Sequence, residues 1–201
     1  MKTVIQVILL AAIFVVAYLV IESVNKPLRF NAETKTRYDA TVQRLKDVRT
    51  AQVAFRSEYK RYTGSFDTLI DFLKTDSFSV VMQIGDDDDS IAVASGGIIR
   101  KTFRISVLDS LFKNDYPVDS LRFAPFTKNH EFALGTNNVV AGNVTVNVFE
   151  AKVPFDVLLD GLDAQLLVNY CANWIVRDRE GYPGLRVGSL TETTNNAGNW
   201  E

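Results

Sequence analysis

"TVQRLKDVRTAQVAFRSEYKRYTGSFDTLIDFL", residues 41–73, changes character at Gly64. Upstream, Leu45, Val48, Gln52, Phe55, Tyr59 and Tyr62 recur at steps of three and four, with Val42 leading in. That spacing draws a stripe down one face of a helix. No glycine or proline interrupts residues 31–62, and a helix of that length extends roughly 48 Å. Glycine readily adopts the positive φ that closes a helix, and Lys60 and Arg61 suit a helix C-terminus electrostatically. The sequence therefore predicts a stop at Gly64, a cap at Ser65, and a second helix over Phe66 to Lys74. Leu69, Ile70, Phe72 and Leu73 supply the buried face of that second helix, which folds back on the first. A coiled-coil seam is the rival use of the stripe. Gln52, the small Ala51 and the bulky aromatics favour packing against the protein's own head.

Working outward toward the N-terminus, Val4 to Ile21 is an apolar run interrupted only by Gln6 and Tyr18. It is near the minimum for a membrane-spanning helix, and Tyr18 falls where an interfacial aromatic sits. A cleaved signal peptide is the alternative, but no small-x-small site follows before "IESVNKP". The run holds no Asp, Glu, Lys, Arg or His, which excludes a proton relay or voltage sensor within it. Pro27, between span and stem, predicts a kink or short break.

Charge is divided along the 201-residue chain. Residues 22–62 carry 10 Lys/Arg and 5 Asp/Glu, whereas residues 63–201 carry 11 and 19; Lys2 brings the total to −2. An acidic head on a basic stem argues against nucleic-acid binding by the head. With one cysteine, Cys171, an intrachain disulfide is impossible.

Beyond residue 75 the pattern becomes extended. "FSVVMQI", "GIIRKTFRISVL", "HEFALG", "VTVNVFEAKVPF" and "FDVLLDG" read as strands bounded by turn residues, with "TNNVVAGN" as a loop. Residues 163–178 read as a helix with Leu166, Leu167, Tyr170 and Trp174 inward, or as a strand pair. "GYPGLRVGSL" reads as a turn into a final strand, and "TETTNNAGNWE" as a mobile polar tail. The expected class is α+β: a transmembrane helix, a long amphipathic helix with a short second one, and a mostly antiparallel sheet. The boundaries are an anchor at 1–24, a kinked linker and stem at 25–62, a head at 63–190 and a tail at 191–201.

No side chains form a recognisable catalytic constellation. A single His130 and a single Cys171 cannot build a His-based zinc cluster, and no G-x-S-x-G elbow hosts a serine nucleophile. His130 reads as a surface or edge-strand residue, and Cys171, among Leu167, Tyr170 and Trp174, as a small buried hydrophobe. Asp86 to Asp89 form a carboxylate cluster without the alternating ligands of an EF-hand; a solvated hairpin tip is the plainer reading, weak Ca²⁺ binding the sharper one. Glycines near 96–97 lack a phosphate-loop pattern. Trp200 could dock into a partner's groove or lie in a disordered end. The sequence names no catalytic, cofactor or metal residue and no small-molecule substrate.

The run "RLKDVRTAQVAFRSEYKRYTGSFDTLIDFL" after an apolar helix resembles type IV pilin-like proteins, above all the pseudopilins of type II secretion. The matching positions are Ala51, Ala54, Tyr59, Arg61, Tyr62, Leu69 and Leu73, within residues 1–75. Thr63 stands where that family has proline, and "MKTVIQVILLAAIF" lacks its processing glycine and its early glutamate. The whole chain, with its tail "YPGLRVGSLTETTNNAGNWE", resembles single-pass membrane-anchored proteins of Bacteroidota. That resemblance implies an inner-membrane location and a periplasmic head, and it implies no activity. Counting bases predicts the opposite side, because Lys26, Arg29, Lys35 and Arg37 outnumber Lys2.

Two functional classes follow. One is a non-enzymatic scaffold or accessory subunit of a secretion or energised motor complex, partnered by other membrane proteins or by itself. The other is an anchored module binding a ligand, glycan or cation through its acidic head.

Overall fold

A computed structural model describes residues 2–84, 99–112, 116–178 and 181–201. Helix α1 runs unbroken over Lys2–Tyr59, with Pro27 inside it. The break anticipated at Pro27 is therefore absent. A proline in a helix interior removes one backbone hydrogen bond and crowds the preceding turn. Here helix continues on both sides, and the stem is already packed at Phe30, three residues on. Every residue from Thr3 to Ile21 is exposed. This helix is long and apolar enough to cross a membrane.

The second half of α1 carries the predicted stripe. Leu45, Val48 and Ala51 are fully buried, and Val42, Ala54 and Phe55 nearly so, all in the core of the head. Gln52 is fully buried in the same line: its Nε2 donates to the Thr63 carbonyl at 2.7 Å, and its Oε1 accepts from the Thr63 amide at 3.1 Å. The side-chain amide thus satisfies the backbone just past the helix end, which makes a buried polar residue compatible with the core. The stripe serves head packing as far as Phe55, whereas Tyr59, its next residue, is 48% exposed.

The helix stop differs from the expectation. α1 ends at Tyr59, and Lys60 takes the left-handed conformation, φ 58°, with its amide donating to the Arg56 carbonyl at 2.9 Å. Gly64 has no positive φ. It lies where the corner passes Gly135 and Thr136, and a Cβ there would meet Thr136 Oγ1 at 3.4 Å. The turn thus begins four residues before the glycine, because Tyr62 is drawn inward: it is 4% exposed, its ring centroid is 4.8 Å from that of Phe149, and its amide donates to Asn147 Oδ1 at 2.6 Å.

Helix α2, Phe66–Thr75, buries Phe66, Leu69, Ile70, Phe72 and Leu73. Ser65 occupies the N-cap position without a side-chain capping bond; its amide instead donates to Thr63 Oγ1 at 3.2 Å. The Phe72 ring meets Phe55 and Tyr59 edge-on, at centroid separations of 5.2 and 5.9 Å, which ties α2 to the end of the stem.

Strands β1, Ser77–Ile84, and β2, Ile99–Ser106, form an antiparallel two-stranded sheet. The Asp86–Asp89 cluster between them lies outside the described residues. A short helix α3, Val107–Leu111, and a 3-10 turn, Val118–Arg122, lead to a three-stranded sheet of order β3-β4-β5. β3 is Ala133–Ala141, β4 Val144–Pro154 and β5 Gly184–Gly188, all antiparallel.

Three readings of the head are corrected. "TNNVVAGN" is mostly strand: Thr136 to Ala141 pair with Val144 to Phe149, leaving Gly142 and Asn143 as the turn. Its β-branched valines suit a ladder, and Asn147 Nδ2 donates across it to Asn138 Oδ1 at 2.9 Å. "FDVLLDG" is helical: α4, Phe155–Leu158, buries Phe155, Leu158 and Leu159, a spacing of three and one that only a helix turns to one side. The C-terminal segment is docked, as described below.

Residues 163–178 settle as a helix, α5, Ala164–Arg177. Asp163 caps it, accepting from the amides of Gln165 and Leu166 at 3.0 Å each. Leu166, Leu167, Tyr170 and Trp174 pack against the core as half-buried side chains. Tyr170 meets Phe30 and Trp174 meets Tyr38, at centroid separations of 6.2 and 5.9 Å, so α5 leans on the lower stem. At its far end, Asp178 and Arg186 form an ion pair at 3.2 Å between side chains 4% and 9% exposed, fixing α5 to β5.

Candidate functional site

Polar side chains of the stem meet the C-terminal segment at the corner. The Tyr62 hydroxyl accepts from Arg56 Nη1 at 3.0 Å and from Asn196 Nδ2 at 2.8 Å, while the Arg56 guanidinium stands 5.2 Å from the Tyr62 ring centroid. Two turns below, Arg49 Nη1 donates to Glu201 Oε1 at 2.7 Å and to the Asn196 carbonyl at 3.3 Å. The hydrogen bond from Arg49, with its positive charge, holds the Glu201 carboxyl below the usual range.

These contacts overturn the reading of residues 191–201 as a mobile tail. Gly198 bridges Val187, Asn199 Nδ2 donates to the Gly184 carbonyl at 2.9 Å, and Asn199 Oδ1 accepts from the Arg186 amide at 3.1 Å. Trp200 packs against the core. Polarity misled the reading because Asn196 and Asn199 serve as connectors. Asn195 and Asn196 sit at φ 52° and 59°, a conformation asparagine tolerates better than most residues.

The docked segment leaves a groove of about 610 Å³ beside the stem. Val53, Ala54, Phe78 and Leu111 give it an apolar lining, and Arg49 and Arg56 border it. Val53 remains 47% exposed there, one position past the buried Gln52. An apolar strip edged by two fixed guanidiniums suits an apolar side chain adjoining a carboxylate, as a partner polypeptide presents them. A second, polar cleft of about 290 Å³ lies on the other side of the Arg56–Tyr62–Asn196 network, with Ser189, Glu192 and Asn147 in its wall.

The sequence-derived candidates are not brought together. Cys171 is half-buried on α5, and burial pushes its thiol upward, away from the thiolate a nucleophile needs. The neighbouring Tyr170 is pushed up to about 12 by the same cause. His130 is exposed in a separate surface cleft of about 580 Å³, with Lys128, Glu131, Asp156 and Asp160. Phe126, 61% exposed at φ 61°, stands at its edge. Among the described residues, no group of three or more His, Cys, Asp or Glu side chains has the placement to hold a metal ion.

No protein-family model, curated protein or solved structure matches the chain. The chemistry of the groove and clefts thus rests on their own side chains. Sequence reasoning missed the groove because its walls come from residues near 50, 78, 111 and 195, with no motif in common. The run of asparagines near the C-terminus was the available signal.

Proposed function

We propose that the protein is a non-enzymatic, single-pass anchored component of the inner membrane, a scaffold or accessory subunit of a secretion or energised motor complex with a periplasmic head. One observation carries the reading: α1 is a single helix whose exposed apolar beginning continues without interruption into a stem with one face buried against the head. Such a rod couples the head rigidly to whatever the apolar run sits in. With no ionisable side chain between Val4 and Ile21, its part in a motor complex is passive, a clamp or spacer. The corner groove supplies a surface for the partner.

Affinity purification from native membranes tests this. A stoichiometric partner is expected, and Val53→Glu, an exposed position, should release it without lowering the melting temperature. Recovery as a monomer with no partner would sink the scaffold reading. Protease should reach the head in spheroplasts; protection there would place it in the cytoplasm, as the count of bases predicts.

The cleft beside His130 favours a second reading, a ligand-, glycan- or cation-binding module. Three carboxylates and an exposed aromatic in one concavity are groups that a sugar or an amine recognises. Thermal stabilisation of the full chain by oligosaccharides or polyamines, abolished by Phe126→Ala, would support it.

A further inference from the structure

β1 and β2 make a sheet of only two strands, with Ser77 opposite Ser106 and Ile84 opposite Ile99. Neither outer edge has a strand partner among the described residues. The edges differ in charge. β2 carries Arg100, Lys101 and Arg104, whereas β1, "SFSVVMQI", carries no charge, proline or glycine. Charged side chains on an edge strand discourage a further strand from adding to it, and β1 has no such guard.

Register parity sets Phe78 opposite Ile105, Val80 opposite Phe103, Met82 opposite Lys101 and Ile84 opposite Ile99, so three of these four pairs are apolar. Phe103 and Ile105 on this face are 46% and 40% exposed. An isolated two-stranded ribbon is at best marginally stable in water, so an apolar face of this kind gains from a wider sheet.

Location restricts the occupant. The ribbon is rooted next to Asp76, whose carboxylate accepts from the Tyr59 hydroxyl at 2.7 Å, at the far end of α1. Tyr59 lies 38 residues beyond Ile21, about 57 Å along the helix. Eight strand residues extend only about 27 Å. On the proposed membrane reading, the ribbon cannot reach back to its own bilayer, so lipid is not the occupant.

We propose that β1 pairs edge to edge and antiparallel with β1 of a second copy, forming a four-stranded sheet with a β2 on each outside edge. The charge pattern selects this edge. Pairing two copies antiparallel through β2 would set Lys101 opposite Arg104, or Arg100 opposite Arg104, in registers near the strand's middle, and like charges directly opposite are destabilising. Pairing through β1, which carries no charged residue, opposes no charges. A two-fold antiparallel contact is closed, so the assembly stops at two.

The test uses the full chain in detergent with Cys171→Ser and one cysteine at a time at each of positions 77 to 84. Under mild oxidation, covalent dimers should form at the positions nearest the two-fold axis, around Val80 and Val81. Mixed pairs should cross-link where their position numbers share one sum. Sedimentation should give a dimer, and Ser79→Lys, at an exposed position, should convert it to monomer with an unchanged circular-dichroism melt. A monomeric mass without cross-linking at any of the eight positions would overturn the proposal. So would cross-linking through β2 alone, or capture of a different polypeptide by β1 in a chain that is otherwise monomeric. Membrane extraction by alkaline carbonate, read separately, reports on the anchor and leaves the pairing result independent of it.

Discussion

Residues 4–21 and 42–59 of α1 are stretches of equal length in the same helix, both rich in apolar side chains. In the first, every residue is exposed; in the second, Val42, Leu45, Val48, Ala51, Ala54 and Phe55 are buried against the head. Pattern separates them, since their backbone is the same. Arg44, Lys46, Asp47, Arg49, Arg56 and Glu58 confine the apolar stripe of the second to one side, which suits a helix lying on a core. The first is apolar all round, which no single packed face satisfies.

The comparison breaks most visibly with Leu45→Ala, which should cost about 2–5 kcal/mol in urea unfolding of the head. Leu10→Ala, in the exposed half, should change it by less than about 0.5 kcal/mol. Equal effects would mean that the apolar half also packs on the head. Asp178→Ala removes one partner of the buried Arg186 pair and should cost about 3–5 kcal/mol.

Gln52→Leu keeps the stripe but strips the Thr63 amide and carbonyl of their partner, at about 1–3 kcal/mol. A neutral outcome would show that the corner, and not the stem, adapts. Acid sharpens the contrast between tail and stem. Because the Glu201 carboxyl is lowered on folding, its stabilisation is complete above the ordinary glutamate value of about 4.3 and disappears as pH falls through the lower folded value. Trp200 fluorescence should report the C-terminal segment loosening in that window, and Glu201→Gln should remove the pH dependence.

The smallest effect is a gain. Lys60→Gly relieves the left-handed backbone at the end of α1 and should stabilise by about 0.5–1 kcal/mol. The same scale applied to Gly64→Ala predicts little change, since Gly64 has no positive φ.

Much of this architecture was legible in residue order. Steps of three and four located the stem's buried face, Leu69 to Leu73 located α2, runs rich in Val, Ile and Phe between turn residues located β1, β2 and β4, and a turn before "GLRVG" located β5. These are local periodicities, and a chain carries them wherever it folds. The corner was legible only in outline. Gly64 is the residue best suited to a helix stop, yet the stop falls at Lys60, because burying Tyr62 against Phe149 and bonding it to Asn147 requires the chain to turn earlier. "FDVLLDG" has strand composition, and its fate as α4 depended on which side Phe155, Leu158 and Leu159 had to face.

By itself the sequence determined an exposed apolar helix continuing into a striped stem, a second helix and a largely antiparallel head, since each depends on neighbours within a few positions. Tertiary structure alone decided where α1 stops, that residues 191–201 are docked, and that Arg49, Val53, Phe78 and Asn196 border one groove. Those outcomes depend on contacts between residues as far apart as 49 and 201, whose strength comes from geometry and burial and leaves no periodic trace in the chain.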